Sequence, residues 1–489
     1  MRTIVWFRDK DLRLSDHEPL WDALRAGEVI PLFILDPAAF FQGRTAEGPH
    51  RTQFLLDSLR ELEVSISQRG SRLIVVSGEW AEVLPRVVAA WRADRVVAHR
   101  LVDPCVREQD RHLTESLGGI FRLYEGETLL APGTLRTSAG RPYSVFTQFA
   151  RAFHATAAVG RSLPPPDVMP RLPADISFQE TAIPSRDEPG LGRNNSVLPG
   201  GVKAASERLS RFLRERVWQY PADRDRMDLP STSRLSADIR FGTLSVRGIW
   251  NAVQEMAGGT EGAAAFTNEL IWREFAYSTL WDRPTLLESP FRPEFIGFPW
   301  DHDEVLLQTW ASGTTGYPVV DAAARQLLVE GFVHNRARML AASFLTKHLL
   351  VDYRLGEAHY LKHLVDGDRA NNNAGWQWSA GCGCDGQPYF RIFNPVIQGE
   401  RFDPFGDYVR RWVPELAAMP AEYVHRPWEA PGPVLRSACV RLGETYPLPV
   451  VDHRFARERF LAVAGQHLRQ QRSATANVEP HSLPTRRYV

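Results

Sequence analysis

Val29-Ile30-Pro31-Leu32-Phe33-Ile34-Leu35 is an unbroken apolar run, short and rich in β-branched and aromatic residues. A strand with one wet face alternates, whereas a strand covered on both faces does not. The run therefore reads as part of a parallel sheet buried on both sides. Ile4-Val5-Trp6-Phe7, Leu73-Ile74-Val75-Val76 and Val96-Val97-Ala98 have the same character. Between them lie amphipathic stretches, Arg51 to Gln68 and Glu79 to Trp91. The alternation predicts a doubly wound, Rossmann-like α/β domain over residues 1–130. No G-x-G-x-x-G follows the first strand, where a nicotinamide-binding domain carries it. Gly190-Leu191-Gly192 sits in a Pro/Gly/Asn-rich stretch and reads as linker only.

Residues 131–200, with Pro164-Pro165-Pro166, read as an interdomain linker. From 201 onward helical periodicity takes over, as in Val319 to Leu328 and Met339 to Leu350. The expectation is an all-helical domain over 201–470 and a disordered polar tail over 471–489. The fold class is thus α/β followed by all-α, with no internal repeat.

A chain of 489 residues is long enough for two or three domains with sizeable cores, and an apolar share of 44% is ordinary for a globular protein. No apolar run reaches the roughly 18 residues of a membrane span. The first strand is broken by Arg8, Asp9, Lys10 and Asp11 and does not read as a signal peptide. Four cysteines argue for reduced thiols and a cytoplasmic setting, and a monomer is expected. Net charge is zero, so a nucleic-acid partner would have to be met by a local basic groove. Only Lys10, Lys203, Lys347 and Lys362 are lysines, and arginine dominance suits bidentate phosphate contacts.

The helical half carries the chemistry. Asn371-Asn372-Asn373-Ala374-Gly375-Trp376-Gln377-Trp378, continuing to Pro388-Tyr389-Phe390-Arg391-Ile392-Phe393-Asn394-Pro395, combines amides with indoles. Amides satisfy polar ring edges and indoles offer flat, oxidisable surfaces, as a planar redox cofactor beside a stacked base requires. A packed turn with capped helix ends needs the same residue types. Thr232-Ser233-Arg234-Leu235-Ser236 offers hydroxyls and N–H groups before a helix, which suits a pyrophosphate or a simple N-cap. Glu269, Trp272 and Arg273 share helical spacing, and Asn335 and Met339 lie four apart on one face.

These segments resemble the photolyase/cryptochrome family of flavoproteins. The likeness rests on Val5-Trp6-Phe7-Arg8 with Asp11-Leu12-Arg13-Leu14, on Thr232 to Ser236 and on Asn268-Glu269-Leu270-Ile271-Trp272-Arg273-Glu274-Phe275. It continues through Gly316-Tyr317-Pro318, His334-Asn335-Arg336-Ala337-Arg338-Met339, Asp366-Gly367-Asp368 and the asparagine-rich run, in the family's order. The resemblance implies a folded FAD held by Tyr220, Thr232, Ser233, Arg234, Leu235 and Ser236. Asp366, Gly367 and Asp368 would lie near the flavin and ribose, Arg338 would pair with an acidic residue beside the ring, and Asn372 would face flavin N5. It implies a pocket for a flipped pyrimidine pair formed by Glu269, Trp272, Asn335, Met339 and Trp378. It implies a DNA-facing rim of Arg273, Arg336, Arg391 and Gln398. Within the family, (6-4) enzymes carry histidines near 335 and 339, plant-type cryptochromes an aspartate at the asparagine position, and DASH proteins a glutamine at the methionine position. Asn335 and Met339 therefore resemble the microbial repair enzymes for cyclobutane pyrimidine dimers (CPDs), which act through reduced FAD. The alternative is a cryptochrome-like photoreceptor that signals through a partner.

Three features depart from the family pattern. Its electron-transfer tryptophans match Trp376, Tyr353 and Trp300, so the middle one is a tyrosine, which must shed its proton when oxidised. Cys382-Gly383-Cys384 lacks a complementary Cys/His cluster, and no metal is expected. Asp103-Pro104-Cys105 lacks the Glu and Asn of folate-binding relatives, which leaves open whether a folate or deazaflavin antenna is present.

Overall fold

The computed structural model describes residues 1–37, 48–185 and 193–476. Strands β1 (Arg2–Phe7), β2 (Glu28–Leu35), β3 (Ile74–Ser77), β4 (Arg95–His99) and β5 (Phe121–Tyr124) form a parallel sheet in the order β3-β2-β1-β4-β5. Three of the four apolar runs are its inner strands β2, β1 and β4, and the fourth, β3, is one edge. β5 is an edge strand of mixed burial and lacked the uniform apolar character that marked the others. Pro31 is tolerated in β2 because β3 joins only from Leu32 onward, so Pro31 has a ladder partner on one side alone. One face packs Val5, Phe33 and Val97 against Phe54 and Leu59 of the Pro49–Ser67 helix. The other packs Ile4, Leu32 and Val96 with Leu84 and Val87 of the Trp80–Ala90 helix.

Strand order reverses at β1 and β4, where open α/β sheets hold ligands. Here the crevice is filled by Asp11, His17 and His99, all buried, with potential ligand atoms within 4.8 Å of one another. Hydrogen bonds account for part of the cluster, while His17 Nε2, 3.5 Å from Asp11 Oδ2, is buried without a hydrogen-bond partner. His99 Nδ1 lies 2.8 Å from Asp11 Oδ2, and His17 Nδ1 accepts the Leu20 N–H at 3.1 Å. Burial pushes His99 down to about 4, so it is a neutral imidazole beside a carboxylate.

The segment read as linker is not only a connection. It contains the helix Phe146–Thr156, whose Phe146, Phe149 and Phe153 pack on Ile271 and Phe275. The remainder is helical from Val202–Glu215 to His453–Ala476. That last helix crosses the expected boundary at 470, so residues 471–476 are helical and not a disordered tail, while 477–489 and Gly190-Leu191-Gly192 lie outside the described residues. Met339 to Leu350 is not one α-helix either. Asn335–Ser343 passes into a π-turn over Phe344–His348, and Leu350 has φ 61°. Among the described residues no helix is long and apolar enough to cross a membrane.

The loop after β1 joins the two halves. Leu12 N–H donates to Phe241 O at 3.1 Å, and Arg13 donates to Gly242 O at 3.0 Å. Arg240 pairs with Asp9 at 2.8 Å and Arg247 with Asp16 at 2.7 Å. Gly242 has φ +60°, and a Cβ there would collide with the Lys10 carbonyl, so only glycine permits this approach.

Candidate active site

The asparagine-rich run is a helix, Arg369–Ala380. Asp368 caps it by accepting the Asn371 N–H at 2.9 Å, and Gly381 ends it with φ 86°. Two of its amides serve the fold: Asn373 and Gln377 both donate to Leu286 O, at 2.9 and 3.0 Å. Asn372 donates from Nδ2 to Glu357 O at 2.9 Å, which fixes the amide and leaves its oxygen free to accept. Glu357 beside it is pushed up to about 7 by burial.

Arg338 pairs with Asp366 at 2.7 Å. Asp366 Oδ1 and Arg234 Nε are buried without a protein partner. Both residues line one cleft with Ser236, Phe332 and Glu330. Orphaned donor and acceptor atoms on one wall suit a polar ligand group, such as a hydroxyl or phosphate of a flavin dinucleotide. Arg234, at φ 55°, pairs with Glu330 at 3.1 Å. Ser231 ties the Thr232–Leu235 turn to Asp223 O at 2.8 Å, beside buried Tyr220. The helix after the turn, Ser236–Phe241, has six residues, so it offers unpaired N–H groups more than a long dipole.

Asp368 is committed elsewhere. Its Oδ2 receives Lys10 Nζ at 2.9 Å and the Tyr277 hydroxyl at 2.7 Å. Burial opposes its charge, but Lys10 overrides that and holds the carboxyl well below the usual range. Its observed role is to anchor the helix, with no free face for a ribose. Gly367 contributes its carbonyl to Arg240 at 3.0 Å.

Glu269 and Trp272 lie on Glu261–Asp282, and Asn335 and Met339 on Asn335–Ser343. Both helices pack against Arg369–Ala380, which carries Asn372, Trp376 and Trp378. Asn335 is exposed, with Nδ2 3.9 Å from Met339 Sδ. A link between these walls was missed in the sequence. Arg224 donates to Glu269 at 2.6 Å, and its neighbour Asp225 pairs with Arg336 at 2.7 Å. Burial raises the Glu269 carboxyl and Arg224 pulls it back down. Arg224 and Asp225 follow the short helix Tyr220–Asp223, and no periodicity marks them.

The rim is corrected at Arg273. It is buried, stacks 3.9 Å from the Tyr277 ring centroid and donates to Glu274 at 3.1 Å and to Glu127 O at 2.8 Å. It lies one position after Trp272, about 100° round the helix, and so turns into the domain interface. Arg336 is half-buried and ion-paired, Arg391 is exposed and Gln398 half-exposed.

Trp300 and Tyr353 meet edge to face at 6.3 Å between centroids. Trp376 meets Tyr360 at 5.2 Å and Trp310 at 5.9 Å, a branch that the tryptophan pattern did not reveal. Burial raises the Tyr353 phenol well above its usual value. Cys382 and Cys384 are both pushed up to about 12 by burial, which opposes a thiolate site. Asp103 caps the Pro104–Leu117 helix through Cys105 N–H at 2.9 Å and lies 3.7 Å from Arg369.

Residues 3–170 match the family described as DNA photolyase, and residues 266–466 match the FAD binding domain of DNA photolyase. A deoxyribodipyrimidine photo-lyase of Agrobacterium fabrum is 41% identical over 94% of this chain and 96% of its own. The crystal structure of a class III photolyase from Agrobacterium tumefaciens superimposes with TM-score 0.89 at 38% identity, covering 96% of this chain and 98% of that one. A Synechocystis cryptochrome superimposes with TM-score 0.87 at 30% identity, covering 94% and 99%. With a buried parallel sheet, a helical second half and relatives matched almost end to end, this chain belongs to the DNA photolyase family.

Proposed function

We propose that the chain is a light-dependent DNA repair enzyme that splits cyclobutane pyrimidine dimers. The observation that carries this reading is the Glu269–Arg224–Asp225–Arg336 linkage. It sets a carboxylate and a guanidinium between the helix with Trp272 and the helix with Asn335 and Met339.

Bound reduced FAD supplies the photoexcited electron donor. Tyr220, the Thr232–Ser236 turn, Arg338, Asp366 and Asn372 hold it. The chain's residues supply placement and electrostatics. Trp272 and Trp378 present flat apolar surface to the two linked pyrimidines of one strand taken out of the stack. Glu269, fixed by Arg224, and Asn335 address base edges, and Met339 gives a soft flank contact. Arg391 and Gln398, with the partly spent Arg336, meet phosphates, which position the duplex without reading its sequence. The chain acts as a monomer in the cytoplasm. Asp103 is already a helix cap, so a folate or deazaflavin antenna in the α/β domain would need another anchor.

The test is blue light on the flavin-reduced protein with separate thymine-dimer and (6-4) photoproduct oligonucleotides. Loss of the thymine dimer alone is expected. Repair of the (6-4) product, or of neither, refutes the reading, and the second outcome would favour a cryptochrome-like photoreceptor.

A further inference from the structure

Trp272 is not held by its own helix alone. Phe146 lies face to face against its indole, with centroids 3.5 Å apart and planes 5° from parallel. Ring quadrupoles favour offset or edge-on pairs, so this stack is imposed by its surroundings. Phe275 closes on both rings edge to face, at 6.0 Å from Phe146 and 6.1 Å from Trp272. One face of the indole is thereby filled with protein, while the side chain stays half-exposed. A base can stack only on the other.

Phe146 is itself tethered to the far wall. Its N–H donates to Asp385 Oδ2 at 3.2 Å, and Cys384 Sγ donates to Ser144 O at 3.4 Å. The turn carrying Cys384 and Asp385 is bound to the end of the Arg369–Ala380 helix. Cys382 and Gly383 N–H both donate to Gln377 O, at 3.1 and 3.0 Å, immediately before Trp378. A Cβ on Gly383 would lie 2.8 Å from Trp378 N, so the turn folds back on that backbone only because residue 383 is glycine. A continuous chain of contacts therefore runs from the back of Trp272, through Phe146 and Asp385, to the backbone of Trp378.

We propose that Phe146 is a positioning residue for lesion recognition. Stacked behind Trp272 and tied through Asp385 to the Cys382–Asp385 turn, it sets the separation and tilt of the two indoles that receive the flipped pyrimidine pair. This gives the Cys-Gly-Cys motif a mechanical role as a glycine-centred turn with one buried and one half-buried cysteine. The inference rests on the assignment of Trp272 to the pocket, and the experiment separates the two.

Flavin-loaded full-length protein is titrated in the dark with a duplex carrying one thymine dimer and with the undamaged duplex. Phe146→Leu keeps an apolar group and removes the flat surface. An aromatic pair contributes about 0.5–1.5 kcal/mol, so the dimer duplex should bind roughly two- to tenfold more weakly. Flavin content and affinity for undamaged DNA, which depends on phosphates, should stay unchanged. Phe146→Tyr should restore dimer affinity. In a Trp272→Ala background Phe146→Leu should have no further effect, because it acts through the indole. Asp385→Ala, which leaves the aromatic cluster whole, should weaken dimer binding in the same direction and serves if Phe146→Leu loses flavin. Unchanged dimer affinity in Phe146→Leu and Asp385→Ala, while Trp272→Ala loses it, overturns the positioning role alone. Unchanged affinity in Trp272→Ala removes Trp272 from the pocket and the inference with it. Equal losses on both duplexes, or additive losses in the double variant, show a merely structural residue.

Discussion

Replacing Lys10 with methionine removes one cation from between two buried carboxylates. Its ammonium lies 2.6 Å from Glu127 and 2.9 Å from Asp368, whose side chains are each 4% exposed. Truncating one partner of such a pair typically costs about 3–5 kcal/mol, because the remaining charge stays buried and unpaired. Other donors soften the loss. Glu127 accepts the Val102 N–H, and Asp368 accepts from Asn371 N–H and the Tyr277 hydroxyl. The low end, about 3 kcal/mol, is therefore expected, and with a urea slope of about 3 kcal/mol/M the midpoint falls by about 1 M. Because Asp368 caps the helix that carries Asn372, flavin retention should fall as well. Its depressed pKa adds a pH signature. The carboxylate's contribution is complete above the unfolded value of about 4 and is lost as pH falls below it. Without Lys10 the depression shrinks, so acid unfolding should begin at higher pH. Urea unfolding of flavin-loaded protein, followed by circular dichroism and flavin fluorescence, measures both. A midpoint within about 0.2 M of the parent, with unchanged acid unfolding, would refute the idea that this interdomain ion cluster holds the flavin helix.

Glu269→Ala and Arg224→Ala should each lower dimer repair about tenfold with flavin content intact, since they break one ion pair in the pocket wall; unchanged repair in both removes the pair from the site. Tyr353→Trp should speed light-driven reduction of oxidised FAD by an external donor and Tyr353→Phe should slow it, with repair by pre-reduced protein unchanged. If Tyr353→Phe reduces as fast as the parent while Trp310→Phe is slow, electrons leave through the Trp310 branch. Alkylation at pH 8 should find Cys105 and Cys439, both exposed, reacting well before Cys382 and Cys384, whose thiols burial raises to about 12; equal rates, read by peptide mass, would contradict that burial.

The sheet was legible because burial on both faces leaves a uniform apolar run, a strong signal over a few residues. β5, wet on one side, lacks it. The helix Phe146–Thr156 was legible in principle, since Phe146, Phe149 and Phe153 recur at helical spacing. The Pro-rich stretch that follows drew the whole segment into a linker reading. The boundary at 470 failed for a related reason. A polar composition says nothing against a solvated helix, and His453–Ala476 continues through residues that looked like tail.

Within the site, sequence conveyed which residue types gather but not which way each points. Trp272 and Arg273 are neighbours, yet one is half-exposed at the proposed pocket wall and the other buried under the α/β domain. A helix turns about 100° per residue, so adjacent positions cannot share a face, and a shared motif does not imply a shared role. Lys10 and Asp368 show the converse. They are far apart in sequence, in segments read as a broken strand end and as a flavin contact, yet they form one ion pair. Their partnership depends on the loop after β1 reaching the Arg369–Ala380 helix across a glycine that only three-dimensional closeness demands. The α/β domain is therefore structurally part of the proposed flavin site, because its loop residue holds the cap of the helix on which Asn372, Trp376 and Trp378 stand.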